Sequence, residues 1–221
     1  MLLQPVYDLF SHDLFDVLST DELFNLYGDE VSHLDVDDAA AIRRKNVHAY
    51  LSAYEEKPSL FLLAEAPGPW GCRFSGVPIT AEAQLVDPEF PIDGVPTSLE
   101  EEPHTEYSAN IFWRVLQPVF PQFFVWNSVP LHPHNPGEPL SIRNPRRSEV
   151  ARWESLTKDI IDILQPERVV GIGRKAERAV KEIGVDVTYV RHPSQGGATK
   201  FTNGIADIVD ELGLPEANRS K

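Results

Sequence analysis

The sequence predicts an α/β fold, a three-layer α/β/α sandwich with a central four-stranded parallel sheet, and three observations lead to it. Four short apolar runs, over 60–64, 122–126, 168–172 and 185–190, have the length and the flanking residues of buried strands. Each is separated from the next by a crossover with room for a helix, and strand, crossover, strand repeated three times builds a parallel sheet covered on both faces. Stiff polar loops start at Glu65, Asn127 and Arg191, and this topology gathers them at one edge of the sheet, where ligands of open α/β proteins bind.

Residues 1–31 alternate Leu and Phe with acids, as in Leu14-Phe15 and Leu23-Phe24, which predicts one or two short amphipathic helices. Asp37 is placed to cap a longer helix to about Ala53, with Ala40, Ile42, Val47, Tyr50 and Leu51 as its apolar stripe and Lys57-Pro58 as its stop. The first strand breaks at Glu65 into a loop, EAPGPWGCRFSGVPIT, stiffened by three prolines and three glycines. Residues 81–103 are Pro-rich and acidic with no regular period, which predicts a long mobile excursion on the surface of the kind that can act as a lid. A helix over 108–116 starts near Ser108 and is closed by Pro118 and Pro121. The second strand enters a loop carrying His132, His134 and three prolines, after which a helix starts at Arg146-Arg147 and runs to Leu164. The third strand turns at Gly173 into a helix over 174–183, the fourth ends at Arg191-His192-Pro193-Ser194-Gln195-Gly196-Gly197, and a last helix covers roughly 201–212. We expect one domain over 1–214, with a helical extension over 1–36 and a flexible tail over 215–221.

No apolar run approaches the ~20 residues of a membrane span, and the N-terminus lacks a basic region followed by an apolar core, so we expect a cytoplasmic protein with no membrane partner. A single cysteine, Cys72, excludes an internal disulfide and any multi-cysteine metal cluster, and reads as a small buried hydrophobe. The net charge of −14 argues at first sight against nucleic acid, which is bound through clustered Lys and Arg. Its distribution softens the objection: residues 1–139 carry a net −16, whereas 140–200 carry +4, the pattern of a basic face on an acidic body. An acidic surface that only maintains solubility explains the first half as well.

Several residues carry candidate chemistry, each with a plainer alternative. Gly171-Ile172-Gly173 after a strand could open a dinucleotide fingerprint, but Ala176 stands where the third glycine belongs, and close packing of strand and helix explains the pair equally. His132 and His134 have a spacing seen in some metal sites, yet prolines surround them and no carboxylate or Cys lies close in sequence; a rigid loop with one solvent-facing His is the simpler reading, and no metal is expected. Asn127, directly after an apolar strand, offers a donor and an acceptor on one plane, which suits a base edge or the bonding of its own loop. His192 could donate to a developing anion or cap its strand, and Glu65 could orient water or bond loop amides. Trp70 and Phe74 provide rings for a planar ligand or for the core.

Taken together, Ala64-Glu65-Ala66-Pro67-Gly68, Asn127 after an apolar strand, VVGIG with its helix, and Arg191-His192-Pro193-Ser194 resemble the uracil-DNA glycosylase superfamily in order and spacing, from Leu60 to the last helix. EAPG is similar to the first motif of the thermophile-type iron–sulfur enzymes, while PGPWG, Gly76-Val77-Pro78 and Asn127-Ser128-Val129-Pro130-Leu131 resemble the single-strand-selective monofunctional enzymes. The iron–sulfur enzymes use four cysteines and this chain has one, so the resemblance points to a branch without the cluster and without any cofactor.

The resemblance implies roles. Asn127 would read the edge of a flipped uracil, and His192 would hydrogen-bond its O2 as negative charge develops. Glu65 would act on water, while the backbone from Glu65 through Ala66 and Pro67 to Gly68 would hold base and water, with Trp70 or Phe74 stacking on the base. Pro193, Ser194, Gln195 and Gly196 match the loop these enzymes press into DNA to support flipping. DNA would lie along Arg143, Arg146, Arg147, Arg174, Arg191 and Lys200. Two departures stand out: Ala66 replaces the water-positioning Asn of the single-strand-selective enzymes, and Ile79 replaces the Phe after Gly-Val-Pro. The expectation is a monomeric DNA glycosylase of base excision repair, acting on DNA that contains uracil or a related deaminated base. The alternatives are a catalytically reduced nucleic-acid or nucleobase-binding module and a hydrolase of free nucleosides or nucleotides.

Overall fold

The computed structural model describes residues 1–218. In chain order the elements are α1 (Gln4–Asp13), β1 (Leu23–Phe24), α2 (Ala39–Ser52), β2 (Leu60–Ala64), α3 (Cys72–Ser75), α4 (Glu82–Leu85), α5 (Tyr107–Leu116), β3 (Phe123–Asn127), β4 (His132–Pro133), α6 (Arg147–Arg152), α7 (Glu154–Leu164), β5 (Arg168–Ile172), α8 (Arg174–Glu182), β6 (Thr188–Val190) and α9 (Ala198–Glu211). The main sheet has four strands in the order β3-β2-β5-β6, and every pairing is parallel. This is the predicted α/β/α sandwich.

Every residue of β2 and of β3 is buried, because helices cover both faces of a parallel sheet, and this is why these strands read as continuous apolar runs. Successive side chains of β3 separate the two faces. Phe123 meets Phe112 of α5, which in turn meets Phe201 of α9, while Phe124 packs on Tyr50 of α2 and Trp126 stacks on Phe10 of α1 at 4.1 Å. The chain leaves β2 toward β3 and leaves β5 toward β6, in opposite directions. The crevice beyond the carboxyl ends of β2 and β5 is therefore the topological switch point of the sheet.

Several expectations are corrected by the structure. Residues 1–31 hold one of the one or two short helices expected, α1, but Leu23-Phe24 form instead a two-residue strand paired antiparallel with His132-Pro133, a long-range contact that no local periodicity announces. Asp37 does not cap α2: Asp38 precedes the helix in the left-handed region without a side-chain bond, and the Ala40 amide is taken instead by Glu30 at 3.2 Å. The helix expected to run unbroken to Leu164 divides into α6 and α7 at Trp153, whose side chain is buried.

The excursion over 81–103 is tied to the body. The buried Glu82 carboxylate accepts from the Thr97 and Ser98 amides, the Ser98 hydroxyl and the His104 amide, and Asn46 bonds Val95 on both its N–H and its C=O. A carboxylate that collects four donors replaces the hydrogen bonds this irregular segment cannot make within itself. At the other end, Ala217 is buried and Asn218 bonds the carbonyls of Val115 and Arg114, so the expected flexible tail is anchored as far as it is described; Arg219 to Lys221 lie outside the described residues.

Candidate active site

At the switch point lies an open cavity of about 810 Å³, with Ala64 at the end of β2 and Glu65 and Ala66 after it, Ile172 at the end of β5 and Gly173 after it, and Arg191 and His192 after β6 on its walls. The glycines of the third crossover serve geometry. A Cβ at Gly171 would come within 2.6 Å of the Glu177 backbone of α8, and Gly173 turns at φ 90°, so the pair is explained by close packing and a tight turn.

His192 is the clearest chemical group. Its Nδ1 accepts the Ser194 amide at 3.2 Å, and Ser194 Oγ lies 2.8 Å from the same nitrogen. A backbone amide can only donate, so Nδ1 is unprotonated and the ring proton sits on Nε2. Burial, reinforced by the charge of Arg191, pushes the imidazole pKa down to about 4, and the ring is neutral at physiological pH. The cavity thus receives a fixed, uncharged N–H donor. Gln195 at φ 52° and Gly196 at φ 72° bend this loop through the left-handed region, and Gly197 is required because any Cβ there would strike the His192 carbonyl. Ser194 and Gln195 reach the cavity; Pro193 and Gly196 are not on its walls.

The first loop is held rigidly. Pro67 O accepts from His132 Nδ1 at 2.8 Å, Glu65 O accepts the Val129 amide at 3.0 Å and the Ser128 hydroxyl at 2.7 Å, and Gly68 O accepts the Arg73 amide at 3.2 Å. Neither histidine of the second loop faces solvent: both are buried with their rings stacked, and burial brings His132 down to about 4. Among the described residues no group of three His, Cys, Asp or Glu side chains is placed to hold a metal ion. Beneath the loop, Asp35 takes Arg73 at 2.5 and 3.1 Å and lies 2.8 Å from Arg43, with both guanidinium groups fully buried. Burial acts to raise the Asp35 carboxyl, but the two arginines outweigh it and hold it below the usual range.

Glu65 opens to the cavity with its carboxylate 2.7 Å from Lys175 Nζ, and Lys175 also bonds Asn144. Ala66 and Gly68 line the wall. Asn127, at the end of β3, is buried with its Nδ2 3.7 Å from the Cys72 Sγ; the thiol, pushed up by burial, forms the wall, and the amide lies behind it.

Two ring assignments are corrected. Phe74 is buried against His104, at 4.4 Å between centroids, and under the Arg73 guanidinium at 4.2 Å, so neither of its faces meets the cavity. Trp70 is 43% exposed and meets His104 edge-on, outside the cavity wall. The ring on the wall is that of Tyr189 in β6, with Arg174 lying over it at 3.8 Å. Ile79 is also on the wall, in the left-handed region at φ 46°, which is rare for a β-branched residue and common where strain serves a site.

Arg143 is committed to Glu149 at 2.7 and 2.8 Å and to the Glu22 and His134 carbonyls, so it braces the N-terminal segment against the second loop, and Arg146 pairs with Glu22 and Glu149. Arg147 pairs with Glu182. Arg143 nonetheless lines the cavity, together with Arg191, with Arg174, which pairs with Glu177 at 2.9 Å, and with Lys175, which pairs with Glu65. Sequence reasoning missed Glu106, Ser108, Tyr189 and Lys175. Glu106 in particular follows the acidic excursion over 81–103, and nothing in its local sequence sets it apart.

The profile of the uracil DNA glycosylase superfamily matches residues 51–212, most of the chain. The chain belongs to the uracil DNA glycosylase superfamily. As a superfamily member it is a DNA glycosylase in type, a hydrolase of N-glycosyl bonds. Solved structures share the fold in 31 chains. One of them, wild-type SMUG2 of Pedobacter heparinus, is 14% identical with a TM-score of 0.65, covering 94% of this chain and 98% of that one. No curated protein matches the sequence. Among the described residues no helix of this glycosylase-family chain is long and apolar enough to cross a membrane.

Proposed function

We propose that this protein excises uracil or a related deaminated base from DNA by hydrolysis of the N-glycosidic bond. The observation that carries the proposal is the neutral His192 with its proton held on Nε2 at the sheet's switch point. As the bond breaks, the base leaves with negative charge spread over N1 and its carbonyl oxygens, and a fixed donor stabilises that charge without reorganising. An imidazolium in the same place would lose the Ser194 amide bond, because Nδ1 would then carry a proton.

Arg174, Lys175 and Arg191 supply positive charge where phosphates would run, on a face that differs from the acidic remainder. Gln195 and Gly196 form the outer turn beside His192, positioned to press on a duplex while a base is extruded. Asn127 stands behind the Cys72 thiol, 3.7 Å from it and off the cavity wall, so it reads the base edge only once the bound base moves that thiol aside; Glu65, steadied by Lys175, keeps acceptor capacity for the attacking water. Ala66 favours a second reading, a binding module with little turnover, because it leaves no side-chain amide beside the water position.

The test is base release from matched single- and double-stranded oligonucleotides containing uracil, hypoxanthine or xanthine, with His192→Ala and Asn127→Ala in parallel. Release abolished by both substitutions supports the glycosylase. Absence of release with Asn127-dependent binding of uracil-DNA supports the binding module, and absence of both points to free nucleosides.

A further inference from the structure

The cavity wall contains a carboxyl group that the scheme above leaves unused. Glu106 precedes α5, and its side chain folds back over the first loop instead of toward solvent. A Cβ built on either Gly68 or Gly71 would collide with its Oε2, so both glycines of Gly-Pro-Trp-Gly are matched to this one side chain. Oε1 takes the Ser108 hydroxyl; among the described residues Oε2 has no hydrogen-bond partner and Glu106 has no cationic one. Beside it on the wall is Cys72, the same thiol that Asn127 touches from behind. Glu106 on the wall and Asn127 behind it thus adjoin the same thiol.

Resting on the glycosylase reading, we propose that Glu106 contacts the extruded base and selects for a carbonyl oxygen on the edge that Asn127 reads. With Ser108 donating to Oε1, a protonated carboxyl carries its proton on Oε2, and that atom then serves as a donor to a bound base. The surroundings favour the protonated form: burial raises the carboxyl pKa, the Ser108 bond opposes this only partly, and no cation stabilises the anion. The titratable group facing it from the first loop is the Cys72 thiol, itself raised by burial; across the cavity Glu65 is paired with Lys175 and His192 is uncharged.

Deamination replaces an amino group by a carbonyl in each of uracil, hypoxanthine and xanthine. A donor fixed at that position accepts the deaminated base and meets the parent's amino group donor to donor. An ionised Glu106 would also repel the departing base anion, so the neutral form serves both selection and turnover.

The experiment compares wild type, Glu106→Gln and Glu106→Ala on uracil- and cytosine-containing oligonucleotides, reading single-turnover release and its pH profile, with melting temperatures as a control on folding. Glutamine keeps an N–H donor, so Glu106→Gln is expected to retain uracil release within a few fold and to lose the alkaline limb that wild type shows as Glu106 ionises. Glu106→Ala is expected to lower uracil release about tenfold and to narrow the uracil-over-cytosine ratio. Loss in Glu106→Gln as deep as in Glu106→Ala would overturn the inference and make the residue an anionic water base; so would an unchanged uracil-over-cytosine ratio in Glu106→Ala. Should wild type release no base, the glycosylase reading fails separately. The same variants are then read by equilibrium binding of the two oligonucleotides, where a preference for uracil lost in Glu106→Ala and kept in Glu106→Gln supports the inference, and a preference unmoved by Glu106→Ala overturns it.

Discussion

Between Pro67 and Thr80 the loop after β2 gives its carbonyl groups to side chains from distant segments: Pro67 to His132, Phe74 to Thr97, Ser75 to Asn46 and Gly76 to Tyr27. From His192 to Gly197 the loop after β6 bonds within itself, through Ser194 to His192 and Gly197 to Ser194, and passes through two left-handed residues. One loop is shaped by the whole protein and the other by its own six residues. The difference teaches that the pocket wall and the outer turn obey separate constraints. Damage to the first should appear in stability, and damage to the second in turnover.

Asp35→Ala should break this comparison most violently. It leaves Arg43 and Arg73 buried without their shared anion, at a cost of about 3–5 kcal/mol, which denaturant midpoints will report. Next comes His192→Ala, which removes one preorganised donor: base release should fall about 10²–10³-fold while the unfolding midpoint stays near wild type.

The histidines set a pH signature. His132 has a folded pKa of about 4 against an ordinary 6.5, so the unfolded chain binds the proton first. Stability is therefore full above about pH 6.5 and is lost as pH falls toward 4, by roughly 3 kcal/mol from this residue alone. Urea titrations across that range should show the decline, and His132→Asn should make it shallower, with His192 supplying much of what remains. The smallest effect sharpens the comparison from the other side. Gln195→Gly relieves a left-handed non-glycine residue and should change stability by about 1 kcal/mol or less, while altering the salt dependence of DNA binding little.

The main sheet was legible because β2, β3 and β5 are short apolar runs bounded by Pro, Gly or polar residues, and the three loops were legible because parallel topology fixes where they converge. His192 was legible for the same reason. Features made by distant residues were not. Nothing near Leu23 announces its pairing with Pro133, and nothing near Glu82 announces that Thr97, Ser98 and His104 will bond it. Phe74 and Trp70 illustrate the limit within a loop: the sequence places rings beside the site, but the turn of α3 directs Phe74 inward and Trp70 outward. Glu106 was hidden by its acidic neighbours, since composition describes a segment and not the one member that turns back.

The strand order also governs how the protein is made. β2, the middle of the sheet, leaves the ribosome first of the four, yet its neighbour β3 follows only after the long segment around Glu82, and its other neighbour β5 later still, when Leu60 finds Arg168. Until then Leu60-Phe61-Leu62-Leu63-Ala64 is an uncovered, uncharged stretch of high β propensity, the kind that associates with other nascent chains. The strand on which the cavity rests is thus the one that waits longest, uncovered, for both of its neighbours during synthesis.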